Sequence, residues 1–74
     1  MISLQNGSAR AADYKNNDKL RALMLTRGWK VPYVTELMGN LYAKNTINKW
    51  HAHIKPMSDR AWELLQAKMT ERGL

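Results

Sequence analysis

Ala43-Lys44-Asn45-Thr46-Ile47-Asn48-Lys49-Trp50-His51-Ala52-His53-Ile54 is the stretch on which the reading of this chain turns. At about 100° per residue, Ile47, Trp50 and Ile54 recur at i, i+3 and i+7 and share one helical face. A stripe of that kind needs a core to bury it. Asn45 and Lys49 point almost directly away from it, Asn48 lies to one side of them, and Lys44 sits nearer the boundary. The segment therefore predicts a helix over 43–53 with an apolar inner face and an outer face of Asn and Lys. Lysine can bond guanine edges or phosphates, and the asparagine amide can bond adenine in two places at once. Lys44, Asn45, Asn48 and Lys49 are accordingly the candidates for contact with DNA bases.

On either side of this stretch the chain reads as further short helices. Pro32 opens one over 32–38, since proline is tolerated where the N–H lacks an intrahelical partner. Val34, Leu37 and Met38 form its inward face, Tyr33 and Glu36 lie outside it, and Gly39 ends it. Gly39-Asn40-Leu41-Tyr42 is then the turn into the opening stretch. Before that, a helix over 17–27 has Asn17 or Asp18 as N-cap, Leu20, Leu23 and Met24 as buried stripe, and Arg27 followed by Gly28 as stop. Arg21 and Arg27 face water, and Trp29 is placed to fold back on the last turn. After the opening stretch, Lys55-Pro56-Met57 breaks the chain, and Ser58 caps a last helix running to Arg72. Its apolar face of Ala61, Trp62, Leu65 and Met69, with Leu64 beside it, has room for an intrachain contact and for a partner. Residues 1–16 lack a sustained apolar period and read as a flexible arm in which Arg10 and Lys15 can meet phosphates. No strand-like alternation occurs. The expected fold is all-α, a compact bundle of four to five short helices, with residues 17–74 as its single domain.

Size and charge narrow the function. At 74 residues without a cysteine, the chain can carry neither disulfides nor a thiolate metal site, so helix packing must hold it together. No apolar run approaches the ~20 residues a membrane span needs, so a soluble, cytoplasmic protein is expected. Twelve Lys and Arg against six Asp and Glu give a net charge of +6, a balance that suits a polyanionic partner. The distribution says more than the total. Between Glu36 and Asp59 there is no acidic residue, while Lys44, Lys49, Lys55, His51 and His53 all lie there. The bland interpretation is a solvated basic face, and the coincidence of the run with the outer side of a core-anchored helix argues against it.

The residues carry a family pattern as well. Leu20-Arg-Ala-Leu-Met-Leu-Thr-Arg-Gly-Trp, then Val34-Thr-Glu-Leu-Met-Gly, then Thr46-Ile-Asn-Lys-Trp, then Pro56-Met-Ser-Asp-Arg-Ala-Trp-Glu-Leu-Leu resembles the order found in Cro- and lambda-repressor-type (Xre-like) helix-turn-helix DNA-binding domains. The resemblance covers roughly residues 17–69 and is closest to small phage-type transcriptional regulators. It implies that the helix over 32–38 braces a recognition helix over 43–53 in the major groove. The turn between Gly39 and Thr46 is longer than the family's, and Thr35 stands where the family usually has a small alanine.

Lys30, Tyr33, Tyr42, Thr46, His51 and Lys55 flank the same surface and are candidates for phosphate contacts, which position a protein on DNA without reading sequence. Trp29, Trp50 and Trp62 read as core. His51 and His53 diverge on a helix and have no third ligand near, so no metal or other cofactor is expected. No catalytic arrangement of residues occurs, and neither an enzyme nor a small-molecule substrate is expected. The leading expectation is a sequence-specific double-stranded DNA-binding transcriptional regulator acting as a repressor. It would bind a palindromic operator as a homodimer, with Trp62, Leu65 and Met69 as interface candidates, in a bacterial or phage-infected cell. A non-specific nucleic-acid binder and a helical module docking an acidic protein partner are the alternatives. Membrane binding is disfavoured, because the outer face lacks an apolar stripe.

Overall fold

The computed structural model describes residues 11–74, and within them the chain is all-helical, as the periodicity predicts. A 3-10 turn (Ala11–Tyr14) leads into α1 (Lys15–Arg27), followed by α2 (Val31–Leu37), α3 (Lys44–His51) and α4 (Asp59–Glu71). No described helix is long and apolar enough to cross a membrane. Most of the expected arm lies outside the described residues. Its last part, from Ala11 onward, is helical.

The core is built from one stripe per helix: Leu20 and Met24 of α1, Val34, Leu37 and the adjoining Met38 of α2, Ile47 and Trp50 of α3, and Ala61 and Leu65 of α4. α3 packs on both α1 and α2, and α4 covers the same pair. Trp29, Tyr33, Tyr42, Trp62 and Met69 sit partly buried around this centre. Trp29 folds back on its helix, as its position after Gly28 predicts, and Arg27 stacks over its ring at 5.5 Å.

Three expectations about the core need correcting. Ile54 does not join Ile47 and Trp50; it is 68% exposed, because α3 stops at His51 and the chain turns away before residue 54. Met57, which reads in sequence as part of a chain break, is buried instead. The third correction concerns Asn17. α1 begins at Lys15, with Tyr14 at the N-cap and no side-chain cap bond, so Asn17 is inside the helix. It is fully buried, three residues before Leu20 and seven before Met24, on the same stripe as both.

The four described α-helices end in the same hydrogen-bonded motif, in which two successive residues just past the helix donate back to its last turn. In α1 Gly28 N–H donates to the Leu25 carbonyl and Trp29 N–H to that of Met24, at 3.3 and 2.8 Å. Gly39 and Asn40 do the same to Glu36 and Thr35 in α2, and Gly73 and Leu74 to Thr70 and Met69 in α4. The motif needs a left-handed residue, and Gly28, Gly39 and Gly73 supply it with φ of 70°, 72° and 70°. In α3 the corresponding bonds run from His53 to Trp50 and from Ile54 to Lys49, at 3.2 and 2.8 Å. There the left-handed residue is His53 itself, with φ of 60°.

Candidate nucleic-acid interface

α3 owes its place to apolar burial on one side and to a polar clamp at its end. Ile47 and Trp50 are buried at 0% and 3% exposure, and the ring of Tyr42 meets Trp50 edge-on with centroids 4.9 Å apart. The clamp is Asn17. Its Nδ2 donates to the carbonyls of Trp50 and Lys55, both at 2.8 Å, and its Oδ1 accepts from Met57 N–H at 2.8 Å. Both amide hydrogens and the oxygen are thus used on the end of α3 and the connection to α4. Such fully satisfied buried amides fix geometry, because any displacement strands a polar group out of water.

Asn16 holds the far end of that connection. Its Nδ2 donates to the Met57 carbonyl at 3.1 Å and to Asp59 Oδ1 at 2.7 Å. This bond, with the Lys15 ammonium at 3.8 Å behind it, keeps the Asp59 carboxyl below its ordinary range. Ser58 caps α4 as expected, its Oγ accepting from Ala61 N–H at 3.1 Å. His53 completes the fastening: its ring stacks on Tyr14 at 5.1 Å and 10°, and Nε2 approaches Asp18 Oδ1 to 2.9 Å. That approach is close but lacks the alignment of an N–H hydrogen bond.

The outer side of α3 is open. Lys44, Asn45, Asn48 and Lys49 are all exposed, and none of their side chains is engaged by another described group. Thr46 is half-buried and does not cap the helix, since Ala43 occupies the N-cap. Lys30 and Lys55 are exposed, while Tyr33 and His51 are half-buried. Tyr33 tilts against Trp29 at 5.1 Å, and Tyr42 is occupied with Trp50, so both rings serve packing. Thr35 bonds its own helix, its hydroxyl donating to the Val31 carbonyl at 2.8 Å, so this half-buried hydroxyl is satisfied locally.

Charge is arranged in keeping with this. Asp18, Asp59 and Glu71 each face a cationic or ionisable partner, His53, Lys15 and Lys68 respectively, none of them on α3. On α1, Lys19 lies over the Trp62 ring at 5.9 Å. The cations around α3 have no such partners among the described residues.

Of the interface candidates, Leu65 is fully buried in the chain's own core and has no surface to offer a partner. Trp62 and Met69 are half-buried. A different apolar surface lies beside the start of α3, where Leu41, Tyr42 and Leu64 are rimmed by Arg60 and Glu63. Leu41 there is 65% exposed.

No family model matches the chain, and comparison with curated proteins and with solved structures finds no match.

Proposed function

We propose that this protein is a sequence-specific double-stranded DNA-binding transcriptional regulator in which α2 and α3 act as a helix-turn-helix. The observation that carries this reading is the outer side of α3. Two asparagines and two lysines stand exposed there, unengaged among the described residues, on a helix anchored by Ile47 and Trp50 and clamped at its end by Asn17. In the major groove Asn45 and Asn48 would read base edges, with Lys44 and Lys49 on guanine or phosphate. Lys30 and Lys55 would hold the backbone. Repression follows from occupying a promoter, and a palindromic operator from binding as a dimer. For the second copy, the patch of Leu41, Tyr42 and Leu64 is favoured over α4's Leu65, because Arg60 and Glu63 on one rim give a two-fold contact opposite charges to pair.

The test is selection of bound duplexes from a random pool, followed by gel shift at about physiological salt. A palindromic consensus is the expected outcome. Binding without sequence preference would favour a non-specific nucleic-acid binder, and no binding a module for an acidic protein partner. On the selected duplex, Asn48→Ala should cost roughly 1–3 kcal/mol at one base position and relax selectivity there. Lys55→Ala should weaken all duplexes alike. Equal losses for Asn48→Ala on selected and random DNA would remove its base-reading role.

A further inference from the structure

We infer that the groove between the second half of α1, the α1–α2 turn and the end of α3 seats backbone phosphates, with Arg21 as a contact that the sequence assigns to water. This deepens the DNA-binding reading and rests on it. The groove encloses about 410 Å³. Three elements each contribute a basic residue to its lining: Arg21 from α1, Lys30 from the N-cap of α2, and His51 from the last position of α3. No acidic residue lines it.

Arg21 and Lys30 are exposed and unpaired among the described residues, whereas Lys19 and Arg27 of the same helix lie over Trp62 and Trp29. The floor allows close approach, since a Cβ at Gly28 would meet nothing within 4 Å. The groove also continues the candidate interface. Lys44, Asn48 and His51 recur at i, i+4 and i+7 on one flank of α3 and lead into it. A duplex whose base edges meet Asn45 and Asn48 would carry one strand's phosphates past the Lys44 and His51 ends of that flank. A guanidinium suits the end of such a track, because its planar fork can bond two phosphate oxygens together. The imidazole N–H of His51 and the Lys30 ammonium supply further donors.

The experiment measures duplex affinity against salt for the full chain, Arg21→Ala, and Arg72→Ala, which removes an exposed charge at the far end of α4. Arg21→Ala is expected to lower the log–log slope by about one unit, alike on selected and random duplexes, and Arg72→Ala to leave it unchanged. If both variants lower it equally, only the general field acts and the seat is overturned. If Arg21→Ala has no effect while Lys49→Ala does, the seat is overturned and the DNA-binding reading stands. Amide spectra during titration with pyrophosphate give a readout that needs no duplex. Shifts confined to residues around Gly28 and Lys30, lost in Arg21→Ala, support the seat. Such shifts without a change in salt slope point to a free phosphate ligand and overturn the backbone assignment. If no duplex binds, the DNA-binding reading fails, and the backbone assignment falls with it whatever pyrophosphate does.

Discussion

Gly28, Gly39 and Gly73 end α1, α2 and α4, whereas α3 ends on His53, although the hydrogen bonds at the four ends are the same. A glycine stop is local: without a Cβ the left-handed conformation costs little, and the helix ends there whatever surrounds it. At His53 the same conformation costs roughly 1–2 kcal/mol. Something outside the helix must hold it there, and the holding groups all come from the start of the chain: Tyr14 under the ring, Asp18 beside it, and Asn17 on the adjoining carbonyls. Where the other helices are stopped by their own sequence, α3 is stopped by α1. The helix with the free polar face is also the one whose end is set by tertiary structure.

The comparison breaks most forcefully at Asn17. Asn17→Leu fits the volume and the stripe but leaves Met57 N–H and the Lys55 carbonyl without their partner. We expect a loss on the order of 3 kcal/mol in urea unfolding. A loss within experimental error would mean that α3 ends where it does without help. A smaller effect separates strain from contact at His53. His53→Gly should be about 1 kcal/mol more stable than His53→Ala, since both lose the ring and only glycine relieves the backbone. Against the parent it should fall near zero, as lost stacking offsets relieved strain. Clear stabilisation by His53→Gly would show that the Tyr14 and Asp18 contacts contribute nothing. The reciprocal change, Gly39→Ala, should cost roughly 1–2 kcal/mol with no contact to compensate.

The smallest effect concerns acid. Asp59 is held below its ordinary value of 3.8 chiefly by the Asn16 amide and then by Lys15. A carboxyl with a depressed folded value adds stability above its unfolded value and loses it as pH falls through the folded one. Asp59→Asn should therefore flatten the stability curve below about pH 4 and change little near neutrality. An unchanged acid limb would show that Asn16 acts on the Met57 carbonyl alone.

Much of this arrangement was legible in the residues. Helix period and glycine stops placed α1, α2 and α4 to within a few residues, and the outer side of α3 followed from Ile47 and Trp50. The start of α1 was misread because a polar pair before an apolar run has the form of a cap. The spacing of Asn17 from Leu20 and Met24 placed it on the buried stripe, and that was the available signal. Met57 gave none, since it lies in no helix and is buried where its N–H donates to a residue forty positions earlier. The groove escaped for a related reason: Arg21, Lys30 and His51 belong to three elements, and no local pattern joins them.

The two connections flanking α3 are consequently unequal in what they can absorb. From Gly39 to Leu41, ahead of the Tyr42 ring that packs on Trp50, the chain is held by its own backbone, and Leu41 projects into solvent. Added residues there lengthen a surface loop at little cost. From residue 52 to 58 the spacing is fixed, because Asn17 and Asn16 reach particular backbone groups and one further residue would put them out of register. Versions of this fold with altered loop length should therefore vary ahead of α3 and keep the count behind it.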